Sequence, residues 1–141
     1  MPLDRFSLIK YKDYGVQFYS NGLIASRAFI EQKPKALAAF VRAANQGLKA
    51  MIADPDAAIA AVKKANPLID EATERQILDI LLRDVIVTPE TQTNGLGAVT
   101  TSRLSAQVDA VASTMQLKNK PPLERVFTSD FLPPEADRQI H

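Results

Sequence analysis

YGVQFYSNGLIAS, residues 14–26, alternates aromatic, aliphatic and polar side chains in the way of a β-strand that ends in a turn. Such a strand needs neighbours, because its peptide N–H and C=O groups must be paired. Only thirteen residues precede it, and of those FSLIK at 6–10 alone reads as a second short extended piece. Ser20, Asn21 and Gly22 form the turn signal, since Asn and Gly tolerate positive φ. Extended chain is expected through about Ile24, and a short helix over 26–33.

Downstream the period changes. Pro34 suits the first turn of a helix and disfavours helix in the residue before it. From there Leu37, Phe40, Val41, Ala44, Leu48, Met51 and Ile52 recur at helical offsets along one stripe. Gly47 costs roughly 1 kcal/mol against Ala in a helix interior, which suggests a close packing contact there. Asp54 and Pro55 end this helix and start the next, with Asp as N-cap and Pro at the first helical position. Asp70 is placed to cap a further helix with Ile77, Leu78, Leu81, Leu82 and Val85 on one face. Residues 86–99 read as a loop with a Thr-Pro break and an Asn-Gly turn. Residues 100–102 offer caps for a helix whose face is Leu104, Val108, Val111, Ala112 and Met115. The tail reads as an extended segment held by Phe127 and Phe131, with a short turn at Pro133 and Pro134.

The inventory predicts an α+β chain, predominantly helical, as a single partial domain: a strand and crossover segment over 1–26, a helical region over 27–116, and an extended tail over 117–141. No residue pattern recurs at a fixed period, which disfavours a helical-repeat array.

Composition narrows the function. Hydrophobic residues make up 46% and charged residues 23%, ordinary for a globular domain. A net charge of +1 with mixed signs argues against a nucleic-acid partner, which needs a concentrated basic face. Cysteine is absent, so disulfides and thiolate metal sites are excluded. No run of about 18 apolar residues predicts membrane insertion, and the first residues lack the apolar core of a secretion signal.

Catalytic signals are sparse. The one histidine, His141, is the final residue, a poor position for a general base or metal ligand. Asp54, Asp56, Asp70, Glu71 and Glu74 fall at helix starts, where the dipole favours them. NGLG at 94–97 lacks the Lys-Ser/Thr of a phosphate loop and reads as a turn. No catalytic residue, cofactor or metal is expected. The polar groups left over cluster at the opening stretch: Tyr14, Tyr19, Ser20 and Asn21. A tyrosine can stack on a flat ligand and add one directional hydrogen bond, and Ser and Asn at a strand end can reach into a cleft. Residue types alone favour Tyr14 and Tyr19 as strand packing and Ser20 and Asn21 as a plain turn over ligand binding.

Taken together, Tyr14-Gly15, Tyr19 to Gly22, Ile24 to Ser26, Phe29 to Glu31, Pro34, the helix with Phe40, Val41, Arg42 and Ala43, and Asp54-Pro55 with its Ala-rich helix resemble the later part of the NMT1/THI5-like family of substrate-binding proteins. The resemblance continues more loosely through Gly95, Leu96 and Gly97 to the Phe131-Leu132-Pro133 ending. It implies the C-terminal portion of a periplasmic-binding-protein-like type II fold, in which two lobes close on a small solute. The solute class would be nitrate, sulfonate, taurine or a pyrimidine, delivered to an ABC permease from the periplasm. On that basis Tyr19, Ser20 and Asn21 are candidate cleft contacts, with Tyr14 nearer the hinge.

Family members are longer, so the strand at 14–19 is expected to have lost its partners through a truncated gene, a misplaced start or proteolysis. As written, without a signal peptide, the chain would be cytoplasmic, and the exposed strand would make a homo-oligomer through residues 6–24. Two other functions remain open: a relative of thiamin-pyrimidine-precursor synthesis, which would want a reactive histidine, and a helical interaction module without a small ligand.

Overall fold

The computed structural model describes Ser7 and residues 9–140. Of the described residues 63% are helical, and none of them forms a strand. Among the described residues seven α-helices follow in order: α1 (Arg27–Gln32), α2 (Pro34–Ala53), α3 (Pro55–Ala65), α4 (Glu71–Leu81), α5 (Pro89–Asn94), α6 (Thr101–Thr114) and α7 (Glu135–Arg138). They distribute over two compact units. One combines residues 1–26 with 99–130, and the other combines 27–98 with 131–141.

The larger unit is a succession of helices in which each packs on the next, from α1 through α4. Lys33 separates α1 from α2, and Pro34 opens α2 at its first position. The Asp54 carboxylate caps α3 by accepting from the Ala57 N–H at 2.9 Å, with Pro55 at the first helical position. Asp70 does the same for α4 through the Thr73 N–H at 2.8 Å. Arg75 ties the two helices together, donating through Nε to Asp56 on α3 at 2.7 Å and through its guanidinium to Asp79 one turn along α4. Both carboxylate partners are exposed, so these pairs add little to stability.

Beyond Leu81 the helix widens into a π-turn, Leu82–Ile86, closed by the Val87 N–H on the Leu82 carbonyl. Residues 86–99, expected as loop, contain α5. A reciprocal Thr88–Thr91 capping box and Pro89 nucleate it, a signal outweighed in the sequence by its helix-poor threonines. The tail likewise holds more helix than its composition suggests: a 3-10 turn at Leu123–Arg125, and α7.

The helix stripes face the core only in part. Leu37, Ile59, Leu78 and Leu96 are buried in the larger unit and Val108 in the smaller, and no large side chain among the described residues is fully enclosed. Phe40, Leu48, Ile77, Leu81, Val85, Val111 and Met115 belong to the expected stripes yet remain exposed. Asn45, a polar residue on α2, is buried instead.

The tail returns to the larger unit through Arg138. Its guanidinium donates to the carbonyls of Pro133, Asn94 and Leu96 at 2.9–3.1 Å, while its own carbonyl accepts from the Leu96 N–H. This approach requires glycine at 95, where φ is +79° and an added Cβ would stand 3.0 Å from that of Arg138.

Two further expectations are corrected. The strand expected at 14–19 does not form. Tyr11–Tyr14 is a 3-10 turn ended by Gly15 at φ +84°, and residues 15–26 run on without a ladder. In the 6–10 strand, Phe6 and Leu8 lie outside the described residues, as does His141, and residues 9 and 10 are irregular. The physical reason is that the described residues of the two units offer no other strand to complete the pairing. The second correction concerns Gly47. An added Cβ there meets nothing within 4 Å, so no close contact explains the glycine.

Gly47→Ala should therefore stabilise the protein by about 1 kcal/mol, since the helix propensity is gained without a clash, as read from a urea titration. The Asp70 carboxyl is held below its ordinary value, first by the Thr73 hydroxyl and then by the Thr73 N–H. A depressed folded-state value means that this contribution is present above the usual carboxylate range and lost as pH falls through it. Asp70→Asn, which keeps the cap without the charge, should lose less stability on acidification than the unaltered chain, by thermal melts from neutral pH to below 3.8, the ordinary aspartate value.

Candidate functional site

The smaller unit holds the residues that the sequence singled out. Its centre is Tyr19, half-buried against the first two turns of α6. The Tyr19 hydroxyl accepts from the Thr100 N–H at 2.8 Å and lies 3.3 Å from the Thr100 hydroxyl. Thr100 is the N-cap of α6 but makes no capping bond with its own side chain. In a capping box the N-cap N–H is taken by an acidic or amide side chain at the third helical position. That position is Arg103, which has no acceptor. The tyrosine hydroxyl stands in from across the unit.

Arg103 serves the segment in another way. Its guanidinium carbon sits 4.1 Å from the centre of the Tyr19 ring, a cation–π contact. From there Nε donates to the Gln17 carbonyl at 2.8 Å, and a second guanidinium nitrogen donates to the Phe18 carbonyl at 3.0 Å. One turn further along α6, the Gln107 amide meets the Tyr19 backbone in both directions. Its oxygen accepts from the Tyr19 N–H at 2.8 Å, and its nitrogen donates to the Tyr19 carbonyl at 3.2 Å. Two residues that face each other in an antiparallel ladder exchange the same pair of bonds. A side chain thus takes the place of the missing strand.

The four nominated residues fare differently. Tyr19 is tied into this network. Ser20 and Asn21 follow it directly and are exposed to solvent. Tyr14 ends the 3-10 turn, 75% exposed, and is not brought to the cluster. Thr100, Arg103 and Gln107 were missed by sequence reasoning. The signal available was their helical spacing of three and four, which shows that they share a face but not what the face meets.

The same unit carries a shallow cleft of about 190 Å³ lined by Val99, Thr101, Leu104, Leu123, Glu124 and Phe127, formed where the 3-10 turn Leu123–Arg125 packs on α6. Ligand pockets usually begin near 300 Å³, and none of the nominated residues lines this one. Among the described residues no group of three His, Cys, Asp or Glu side chains could hold a metal ion, and no helix is long and apolar enough to cross a membrane.

Replacing Tyr19 with Phe removes the acceptor for the Thr100 N–H and keeps the ring beneath Arg103. The expected loss is about 1–2 kcal/mol, measured by chemical denaturation, with faster amide exchange at Thr100.

Residues 4–58, less than half of the 141-residue chain, match the family model described as NMT1/THI5 like. The matched stretch runs from ahead of the irregular opening segment, through Tyr14, Tyr19, Ser20, Asn21, α1 and α2, into α3. No curated protein and no solved structure matches the chain.

Proposed function

We propose that this chain carries part of a solute-binding protein of the ABC-importer kind, with Tyr19, Ser20 and Asn21 contributing to the solute contact. The observation that carries this reading is the NMT1/THI5 like match over 4–58, because it contains all of these residues in one continuous stretch. The local geometry supports it. Tyr19 is fixed by α6, so the two residues after it leave a rigid point and present a hydroxyl and an amide to solvent. A hydroxyl and an amide together offer donors and acceptors suited to a small oxyanion or a pyrimidine edge. Tyr14, exposed and at the far end of the Gly15 turn, fits a hinge position better than a contact. The closed, loaded form would be handed to a permease in the periplasm, and the fold of the intact binder would be the bilobed type II arrangement.

The family also includes relatives that make the thiamin pyrimidine precursor. Binding is favoured over chemistry because the opening segment offers hydroxyls and amides but no imidazole or thiol.

The test is a thermal-shift screen of the chain against nitrate, taurine, short alkyl sulfonates and hydroxymethyl-pyrimidines at millimolar concentration. A ligand present at about a hundred times its Kd adds about 2.7 kcal/mol, so one class should raise the Tm. Asn21→Ala should reduce that rise while leaving the unliganded melting temperature unchanged. If every solute leaves the Tm where it was, the reading fails for this chain.

A further inference from the structure

We propose that Arg103 and Gln107 guard the opening segment against β-pairing with a second copy of this chain through residues 16–24. The carbonyls of residues 17, 18 and 19 and the Tyr19 N–H are all taken by the two α6 side chains. The next five residues, 20–24, are all exposed and carry no such bonds, and they include Leu23 at 60% and Ile24 at 99% exposure. Val16 and Phe18 are exposed as well. A row of open peptide groups flanked by apolar side chains is a template for another strand.

The sequence favours a second copy as the occupant. Residues 14–26 contain no charge and no proline, the composition of segments that pair with themselves. Two copies laid antiparallel about Ser20 set Val16 of one opposite Ile24 of the other, and Phe18 opposite Gly22. The first charges on either side of the run, Asp13 in the 3-10 turn and Arg27 at the start of α1, have opposite sign. Any like-charge clash that would forbid self-pairing is absent from this alignment. A symmetric pair of this kind is isologous and closes after two copies.

The guard acts by competition. With Tyr19 and Asn21 of the other copy as a hydrogen-bonded pair of this register, the Gln107 amide must leave the Tyr19 peptide before the second strand can take it. Residues 20–24 of one copy fall opposite 16–20 of the other, so any pairing beyond Ser20 runs onto peptide groups held by the two α6 side chains. Side chains at an edge are a recognised means of blunting it, but here they bond the edge directly.

Light scattering across protein concentration, with the amide-I infrared band as the readout of intermolecular strand, tests this on the full chain. Gln107→Ala should associate at a roughly tenfold lower concentration than the unaltered protein, the equivalent of two neutral hydrogen bonds at the modest net value each carries, and should gain the β band. Adding Ile24→Lys to that variant should abolish both. Should Gln107→Ala lose its helical circular dichroism, Gln107→Glu takes its place: it keeps an acceptor for the Tyr19 N–H, loses the donor to the Tyr19 carbonyl, and should shift association in the same direction by less. The proposal is overturned if the folded Gln107 variant associates no more readily than the unaltered chain, or if Ile24→Lys leaves its association intact.

Discussion

A peptide group withdrawn even partly from water must be bonded to something, and in the smaller unit that requirement falls on two side chains of one helix. Gln107 exchanges two hydrogen bonds with the Tyr19 backbone, and Arg103 covers the two carbonyls before it. The Tyr19 side chain returns the support by holding the Thr100 N–H at the start of the same helix. Segment and helix therefore fix each other. Val108, the buried apolar residue among the described residues of this unit, lies on the turn of α6 that carries Gln107. With so little enclosed apolar surface, these directional bonds decide which conformation the segment adopts.

The larger unit is built on the opposite basis. Its helices are specified locally, by Asp54 and Asp70 at the caps, by Pro34, Pro55 and Pro89 at first positions, and by an Arg75 bridge between neighbours. Each helix packs on its sequence neighbour, so few distant contacts are needed. The exposed members of the stripes, Phe40 and Leu48 on α2 and Ile77 and Leu81 on α4, show where apolar periodicity outruns the surface available to cover it.

That difference explains what could be read in the sequence. The boundaries of α2, α3 and α4 follow from caps, prolines and period, all local signals. Their stripes were legible too, though which members would be covered was not, because coverage depends on partners distant in the chain. The β reading of 14–19 rested on an alternation that is present; what it lacked was knowledge that only side chains would be on hand to complete the pairing. Tyr19 was legible as a residue of consequence. Arg103 and Gln107 were not, since more than eighty residues separate them from the backbone they serve. Alpha-helix α5 was hidden for a third reason: two threonines make poor helix interior but a good reciprocal cap.

The two units are interleaved along the chain, the first resuming at Val99 after the second has begun at Arg27, and the second resuming at Phe131. A polypeptide emerging from the ribosome therefore finishes neither one before most of the other exists. Helices α1–α4 can form as they appear, but the turn at Asn94 and Leu96 waits for Arg138, some forty residues behind it. Synthesis order and assembly order must part company here: residues 17–19 are settled only once α6 has been made, and the Arg138 clasp on the larger unit closes later still.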